Sequence, residues 1–180
     1  MKTWLFVFLC IAFISSPAQA HPHVFIAPKA TLIMNDHLVS QINVEWDFDD
    51  MSSALFFEIY GSNPAEIWNL VFPENQLLPN GGQVPRTSYY TTVEIDGIPI
   101  ANLIPAYFTA NFVNGSLHCQ FTLYINQNVG NTIKIWFEDP TTYNAFDIQI
   151  GNFQLVDQSG ASHVLHKQTQ NNIDKIFLSW

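Results

Sequence analysis

The residues of this sequence whose types and spacing best suit chemistry are His21 and His23. They follow a basic start, an apolar run over Trp4–Ile14 and small residues ending at Ala20, which is typical of a cleaved secretory signal peptide. Cleavage after Ala20 makes His21 the first residue of a mature chain of residues 21–180. One free α-amine and two imidazoles then lie within three residues, and such nitrogen donors bind zinc, nickel, cobalt or copper. The pattern predicts a metal site at the new N-terminus.

Pro22 restricts how that site can be built. Square-planar copper or nickel chelation by a protein N-terminus uses deprotonated backbone amides, and proline has no N–H to lose. Proline also favours an extended conformation for His21, which places His21 and His23 on the same side of the chain. Further ligands must therefore come from the fold. Because an α-amine titrates near pH ~8 and an imidazole near pH ~6.5, we expect metal binding to weaken as the pH falls.

Two strands directly after the histidines are expected to bring carboxylates to them. Val24–Met34 and Leu38–Phe48 both alternate between apolar and polar residues, and residues 35–37 between them have turn chemistry. A three-residue loop sets Ile26 opposite Trp46 and keeps the apolar residues of both strands on one side. The alternation favours this register over one that is shifted by a single residue.

In that register His23 lies opposite Asp49, and Asp47 shares the same face of the second strand. We therefore expect His21, His23, Asp47 and Asp49 to converge on one ion. The carboxylates also have structural interpretations. Asp49 could equally cap the helix that is predicted directly after it, while Asp47 and Glu45 fit a solvated strand face.

The rest of the chain predicts a mainly β (α+β) fold. A helix is expected over Ser53–Tyr60, with Phe56, Phe57 and Tyr60 on its apolar side, followed by a second helix that starts at Asn63 and a loop over residues 74–85. Further strands are predicted at Tyr89–Ile95, Tyr107–Val113, Ser116–Ile125, Thr132–Phe137, Ala145–Ile150, Phe153–Asp157 and Ser162–His166, with turns at Asp96-Gly97, Asn114-Gly115 and Ser159-Gly160. This order indicates one antiparallel β-sandwich-like domain with a short helical insertion after the second strand.

Composition and charge exclude several classes of protein. Without residues 1–20 the chain has five basic and fifteen acidic residues, a net charge of −10, which argues against a nucleic-acid surface. No second apolar run is long enough to cross a bilayer, so the mature chain is expected to be exported and not embedded in the membrane. Cys119 is then its single cysteine, expected to be a buried small hydrophobic residue. His118 is expected to point away from Cys119, and His163 and His166 to lie on the surface.

Three motifs together resemble one bacterial family. They are His21-Pro22-His23-Val24-Phe25-Ile26, then Glu45-Trp46 with Phe48-Asp49, and finally Glu138-Asp139-Pro140-Thr141-Thr142-Tyr143. In this order they are similar to periplasmic proteins described as the periplasmic component of an uncharacterised ABC-type transport system, a domain of unknown function. The resemblance implies a metal-handling accessory of permeases of the nickel/cobalt-exporter type, in some members linked to zinc uptake. The polar positions that match are His21, His23, Asp49 and Asp139.

The sequence departs from this family in two places. Residues 61–66 contain no aspartate where many relatives have an acid-rich, calcium-loop-like stretch, so no calcium site is predicted there. Thr142 stands where a tyrosine is usual. Asp139, which precedes a proline, also fits an ordinary turn residue.

Taken together, these features predict a periplasmic, non-enzymatic metal-binding accessory of a divalent-metal transport system, with zinc as the favoured ion and an inner-membrane permease as partner. The predicted ligands are His21, His23, Asp47, Asp49 and Asp139. Two alternatives stay open. One is a copper-dependent oxidase with an N-terminal histidine brace, for which His118, His163 or His166 would have to supply a third nitrogen. The other is a non-catalytic interaction domain.

Overall fold

The computed structural model describes residues 24–61, 63, 89–101, 103, 105–139 and 143–179. Four predicted features lie outside these residues: the signal peptide, the pair His21 and His23, the second helix beyond Asn63, and the loop over residues 74–85. The part that is described is mainly β, as predicted.

Within the described residues the chain forms eleven strands and one α-helix. The strands are β1 (Val24–Asn35), β2 (Leu38–Phe48), β3 (Thr91–Ile95), β4 (Ile98–Pro99), β5 (Pro105–Val113), β6 (Ser116–Asn128), β7 (Thr132–Phe137), β8 (Asn144–Phe146), β9 (Phe153–Asp157), β10 (His166–Gln170) and β11 (Ile173–Ser179). The helix α1 (Asp50–Tyr60) follows β2, and a single 3-10 turn (Ile150–Asn152) precedes β9.

The strands are arranged in two sheets. One has the order β5-β6-β2-β1-β8, with β9 also paired to β1, and the other has the order β10-β11-β7-β3-β4. Most neighbours are antiparallel, as expected, but β1 pairs in parallel with both β8 and β9. The sheets contact each other where Phe137 of β7 stacks on Phe146 of β8, with ring centroids 5.8 Å apart. The prediction of a sandwich-like arrangement stays a prediction.

The predicted register of β1 and β2 is wrong by two residues. Ile26 pairs with Phe48 rather than with Trp46, because residues 36–37 form a two-residue turn and a bulge beside Met34 shifts the pairing once more. A shift by an even number leaves every side chain on its predicted face. Ile26, Trp46 and Phe48 are accordingly all buried.

Trp46 lies at the centre of the hydrophobic core and has no measurable solvent exposure. The centroid of its ring lies 5.4 Å from that of Phe121 on β6 and 5.6 Å from that of Phe146 on β8, both in edge-on arrangements. The ring of Tyr90, which precedes β3, lies 6.1 Å away. Aromatic pairs of this geometry stabilise a core beyond the apolar area they bury. The tryptophan therefore ties the middle of the first sheet to the start of β3 in the second.

Helix α1 begins at Asp50, three residues earlier than predicted, and ends where Gly61 takes a positive φ of 61° and donates its N–H to the Phe57 carbonyl at 2.9 Å. Phe56 and Tyr60 pack against the core as expected. The prediction for Phe57 is wrong, since its side chain is 55% exposed. No helix in the described ranges combines the length and the apolar character needed to cross a membrane.

In the second half of the chain the predicted turns are confirmed, whereas some of the predicted strand ends are not. Asn114 and Gly115 both have positive φ, 53° and 91°, and join β5 to β6 as the Asn-Gly pair predicts. The turn at Asp96-Gly97 is also present.

Two predicted strands are placed differently. The strand expected over residues 145–150 ends at Phe146, and residues 162–165 are irregular, so that the strand expected there begins at His166 instead. The polar residues 168–170 complete β10, and residues 171–172 form the turn to β11. Thr169 helps to pair β10 with β11, because its hydroxyl donates to the Asp174 carboxylate on β11 at 2.6 Å.

Candidate metal-binding site

A row of paired residues crosses four strands on the outer face of the first sheet, the side turned away from the core. Ala27 of β1 pairs with Asp47 of β2, Asp47 with His118 of β6, and His118 with Asn111 of β5. The chain neighbours of Asp47 and His118 are buried, so strand alternation directs these two side chains outward. The pairing brings together two residues that are 71 positions apart.

Both carboxylate oxygens of Asp47 are engaged. Oδ1 lies 2.5 Å from Nδ1 of His118, and Oδ2 lies 2.6 Å from Nζ of Lys29 on β1. Although partial burial opposes it, these hydrogen bonds from Lys29 and His118 hold the pKa of Asp47 below its usual value. The hydrogen bond to Asp47 also raises the pKa of Lys29. Asp47 is therefore an ionised carboxylate whose oxygens already hold two donors.

His118 is held by one of its two ring nitrogens. A carboxylate only accepts hydrogen bonds, so Nδ1 of His118 is the donor to Asp47, and in the neutral imidazole the lone pair is left on Nε2. Nε2 has no hydrogen-bond partner among the described residues, and the side chain is 34% exposed. Metal-binding histidines usually donate their other N–H to a carboxylate or carbonyl, which fixes the orientation and tautomer of the ring. His118 has this arrangement.

Asp49 caps helix α1, which was the alternative interpretation of this residue. Its Oδ1 accepts the backbone N–H of Ser52 at 2.8 Å, and its Oδ2 accepts the Ser52 hydroxyl at 2.7 Å and the backbone N–H of Phe25 at 2.9 Å. Although burial opposes it, these hydrogen bonds keep the pKa of Asp49 below its usual value. Asp49 thus lies against Phe25 of β1, as the corrected register requires.

Asp139 is buried, with 6% of its surface exposed. Its Oδ2 accepts the backbone N–H of Asn144 at 2.9 Å and the Asn144 side-chain amide at 2.7 Å. Burial and the nearby charge of Asp139 raise the pKa of Tyr90 to about 12. In the described structure Asp139 acts as a buried turn residue that holds the start of β8 in place.

Among the described residues, His163, His166 and Cys119 do not belong to this row. Nε2 of His163 lies 2.8 Å from Oδ2 of Asp157, at the end of β9, and the ring of His166 stacks on Phe177 with centroids 5.3 Å apart. Cys119 is fully buried, as predicted, and burial raises the pKa of its thiol to about 12. Over the described ranges no three His, Cys, Asp or Glu side chains are grouped so that they could hold a metal ion.

The predicted ligand set stays a prediction, because only its three carboxylates lie within the described residues. His21 and His23 lie outside the described residues, and Asp47, Asp49 and Asp139 occupy three separate positions. The sequence named His118 only as one of three possible third ligands of a copper brace. Its pairing with Asp47 was missed, because that pairing depends on the contact between β2 and β6. One signal was present in the sequence: His118 lies between the apolar residues Leu117 and Cys119, directly after the Asn-Gly turn, which predicts an outward side chain.

A family model matches residues 6–175, so the match covers nearly the whole chain. The chain belongs to the family of proteins of unknown function DUF1007. No curated protein matches it.

Proposed function

We propose that this member of the DUF1007 family is a periplasmic β-sandwich-like protein that binds a divalent metal ion, with zinc favoured over nickel, cobalt or copper. The proposed ligands are the α-amine and imidazole of His21, the imidazole of His23, and Nε2 of His118. Asp47 orients His118 without binding the ion itself. The protein would serve as the accessory of a divalent-metal transport system.

The observation that carries this proposal is the contact between His118 and Asp47. An imidazole that donates Nδ1–H to an ionised carboxylate presents its second nitrogen in one orientation. The side chain of His118 lies on the same face of the sheet as residues 25, 27 and 29 of β1. These residues follow directly on His21 and His23 in sequence.

Asp49 and Asp139, which the sequence predicted as ligands, instead make hydrogen bonds that stabilise the fold. Asp49 accepts three hydrogen bonds at the start of α1, and Asp139 is buried and bonded to Asn144. Moving either group onto a metal ion would leave backbone N–H groups without an acceptor, which costs about 1–3 kcal/mol each when the group is buried. We therefore leave both residues out of the proposed ligand set.

The compartment and the partner follow from the motifs at the N-terminus and from the family resemblance. Export with cleavage after Ala20 would create the α-amine ligand. The mature chain, with five basic and fifteen acidic residues, favours the approach of cations. A permease of the inner membrane is the proposed recipient or source of the ion.

Calorimetric titration with zinc tests the proposal. The mature chain that starts at His21 should bind one ion per molecule, and a form with additional residues before His21 should bind at least about tenfold more weakly, because its α-amine is lost. His118→Gln should weaken binding by a similar factor, since it removes the nitrogen ligand and keeps the side-chain volume.

His166→Gln is the matched control for His118→Gln. His166 is also an exposed strand histidine, but it lies on β10 in the other sheet and should leave zinc affinity unchanged. Equal affinity in the mature chain, the extended form and His118→Gln would overturn the proposal. Circular dichroism of each variant separates loss of a ligand from loss of the fold.

A second candidate function is copper-dependent oxidation, because His118 supplies the distant third nitrogen that a histidine brace requires. The copper-loaded mature chain would then oxidise a reductant such as ascorbate with oxygen as acceptor. Turnover that is lost in His118→Gln would favour this function, whereas tight zinc binding without copper-dependent turnover favours the accessory role.

A further inference from the structure

The outer face of the first sheet contains a second feature, a bulge in β5 around Tyr107. Ala106 pairs with Thr122 of β6 and Thr109 with Gln120, so three steps along β5 match two steps along β6. Tyr107 within this bulge has a φ of +55° and is 75% exposed. A positive φ is unfavourable for an aromatic residue, and such conformations cluster at binding sites, as do bulges at sheet edges.

The bulge borders a depression of about 290 Å³ on the outer face. Polar side chains from three strands line most of it. The lining residues are Asn43, Val44, Glu45, Tyr107, Thr109, Gln120, Phe121 and Thr122. This volume is at the lower end of the range for small-ligand pockets, so that one or two sugar-sized rings would fill it.

The depression contains hydrogen-bonding groups that the fold does not use. Asn43 accepts at Oδ1 from Gln41 at 2.9 Å and from Thr122 at 3.1 Å, which fixes its amide and leaves its two N–H donors without a described partner. The side chains of Thr109 and Gln120 make no hydrogen bond within the described part of the chain. Together they offer amide and hydroxyl groups that can donate and accept.

Tyr107 supplies an aromatic surface beside these groups. Its ring meets Tyr124 of β6 with centroids 6.3 Å apart and an angle of 75° between the ring planes, so the two rings support each other. Glu45 contributes a carboxylate from β2. A sugar ring has apolar C–H groups on its face and hydroxyls at its edge. The aromatic ring suits the C–H face, and the amides, hydroxyls and carboxylate suit the hydroxyls.

We propose that this depression binds a neutral saccharide, which stacks on Tyr107 and is hydrogen-bonded by Asn43, Thr109, Gln120 and Glu45. The carboxylate and the acidic chain disfavour anionic ligands, and the polar lining disfavours lipid-like ones. The site does not depend on the metal proposal, because it shares no ligand residue with His21, His23 or His118.

The test is a titration of ¹⁵N-labelled protein with cellotriose, maltotriose and tri-N-acetylchitotriose, followed by amide chemical shifts in the presence of EDTA. At least one of the three saccharides should shift the amides around Tyr107 and Gln120 in a saturable way. The variant Tyr107→Asn should weaken that binding at least about tenfold, because it removes the stacking surface. Asparagine tolerates a positive φ, so the bulge is retained.

Gln120→Ala provides a second variant at an exposed strand position and should weaken binding as well. Tyr143→Ala, which removes an exposed tyrosine from the segment before β8, is the control and should bind as the wild type does. The proposal is overturned if none of the three saccharides shifts these amides, or if Tyr107→Asn and Gln120→Ala bind as tightly as the wild type. Because EDTA is present throughout, a negative result would overturn the saccharide proposal without bearing on the zinc proposal.

Discussion

Nδ1 of His118 lies 2.5 Å from Oδ1 of Asp47 across the pair β2–β6, while Nζ of Lys29 lies 2.6 Å from the other oxygen of the same carboxylate. The lysine neutralises much of the charge of Asp47 and holds it in place, and Asp47 in turn fixes the imidazole. The contact therefore holds an imidazole in one orientation on the outer face of the sheet.

Replacing Asp47 by alanine should weaken zinc binding about 10- to 100-fold, the usual cost of losing the carboxylate behind a metal-binding histidine. Asp47→Asn should have a smaller effect, because the amide oxygen can still accept the Nδ1–H although it carries no charge. Competition titration against a fluorescent zinc chelator measures both constants.

Glu45→Gln is the control for this prediction, since Glu45 lies two residues away on the same strand face and its replacement removes the same unit of charge. It should leave zinc affinity nearly unchanged. If Glu45→Gln weakened zinc binding as much as Asp47→Ala does, the effect of Asp47 would be general electrostatic attraction and not orientation of His118.

Asp49 is expected to stabilise the fold without contributing to metal affinity. Asp49→Ala removes the acceptor for Ser52 and Phe25 and should lower the free energy of unfolding by about 1–2 kcal/mol, as measured by urea denaturation. Asp49→Asn keeps a good capping residue and should recover most of that loss. Zinc affinity should be unchanged in Asp49→Asn, and a marked decrease there would restore Asp49 to the ligand set.

Local patterns in the sequence predicted the faces of the strands and the tight turns. Alternation in β1 and β2 placed Ile26 and Trp46 in the core and Asp47 outside, and the Asn114-Gly115 pair predicted its hairpin. Each of these features depends on the period of a strand or on the φ of a few residues. Neighbouring residues carry that information.

The register and the long-range pairings could not be predicted in the same way. The register of β1 and β2 depends on a two-residue turn and a bulge beside Met34, and any even shift satisfies the same alternation. The parallel pairing of β1 with β8 and β9 depends on contacts across more than 100 residues. The contact between Asp47 and His118 belongs to this second group, which is why the ligand set from the sequence named Asp47 and omitted His118.

Ser53 is expected to be important for joining helix α1 to β6. Its side chain is fully buried, and its hydroxyl accepts the backbone N–H of Leu117 at 2.9 Å. Ser53→Ala leaves that N–H buried without an acceptor, so the free energy of unfolding should fall by about 1–3 kcal/mol. Urea denaturation followed by tryptophan fluorescence measures the change.

Ser116→Ala is the comparison for this change, because Ser116 makes a more exposed hydrogen bond to Asp50 at the same junction, at 3.3 Å. It should cost less than about 0.5 kcal/mol. Equal effects of Ser53→Ala and Ser116→Ala would show that the buried hydrogen bond to Leu117 contributes nothing beyond a surface contact.

The carboxylate of Asp96 should make the stability of the second sheet depend on pH. It accepts the backbone N–H groups of Thr132 at 2.9 Å, Asn131 at 2.6 Å and Gly130 at 2.7 Å, and these bonds lower the pKa of Asp96. A lowered pKa in the folded state means that the stabilisation is complete above the unfolded value of about 3.9 and is lost as the pH falls through the folded value.

Asp96→Asn should therefore lower Tm most at neutral pH. Asparagine tolerates the φ of +51° at this turn, so the substitution does not strain the backbone. The difference in Tm from the wild type should begin to close below about pH 4 and should vanish as the pH falls through the lowered pKa of folded Asp96. Asp36→Asn, at another turn residue with positive φ, should show a small difference in Tm at every pH. A deficit in Asp96→Asn that stayed constant from neutral to acid pH would show that the charge of Asp96 does not strengthen these three hydrogen bonds.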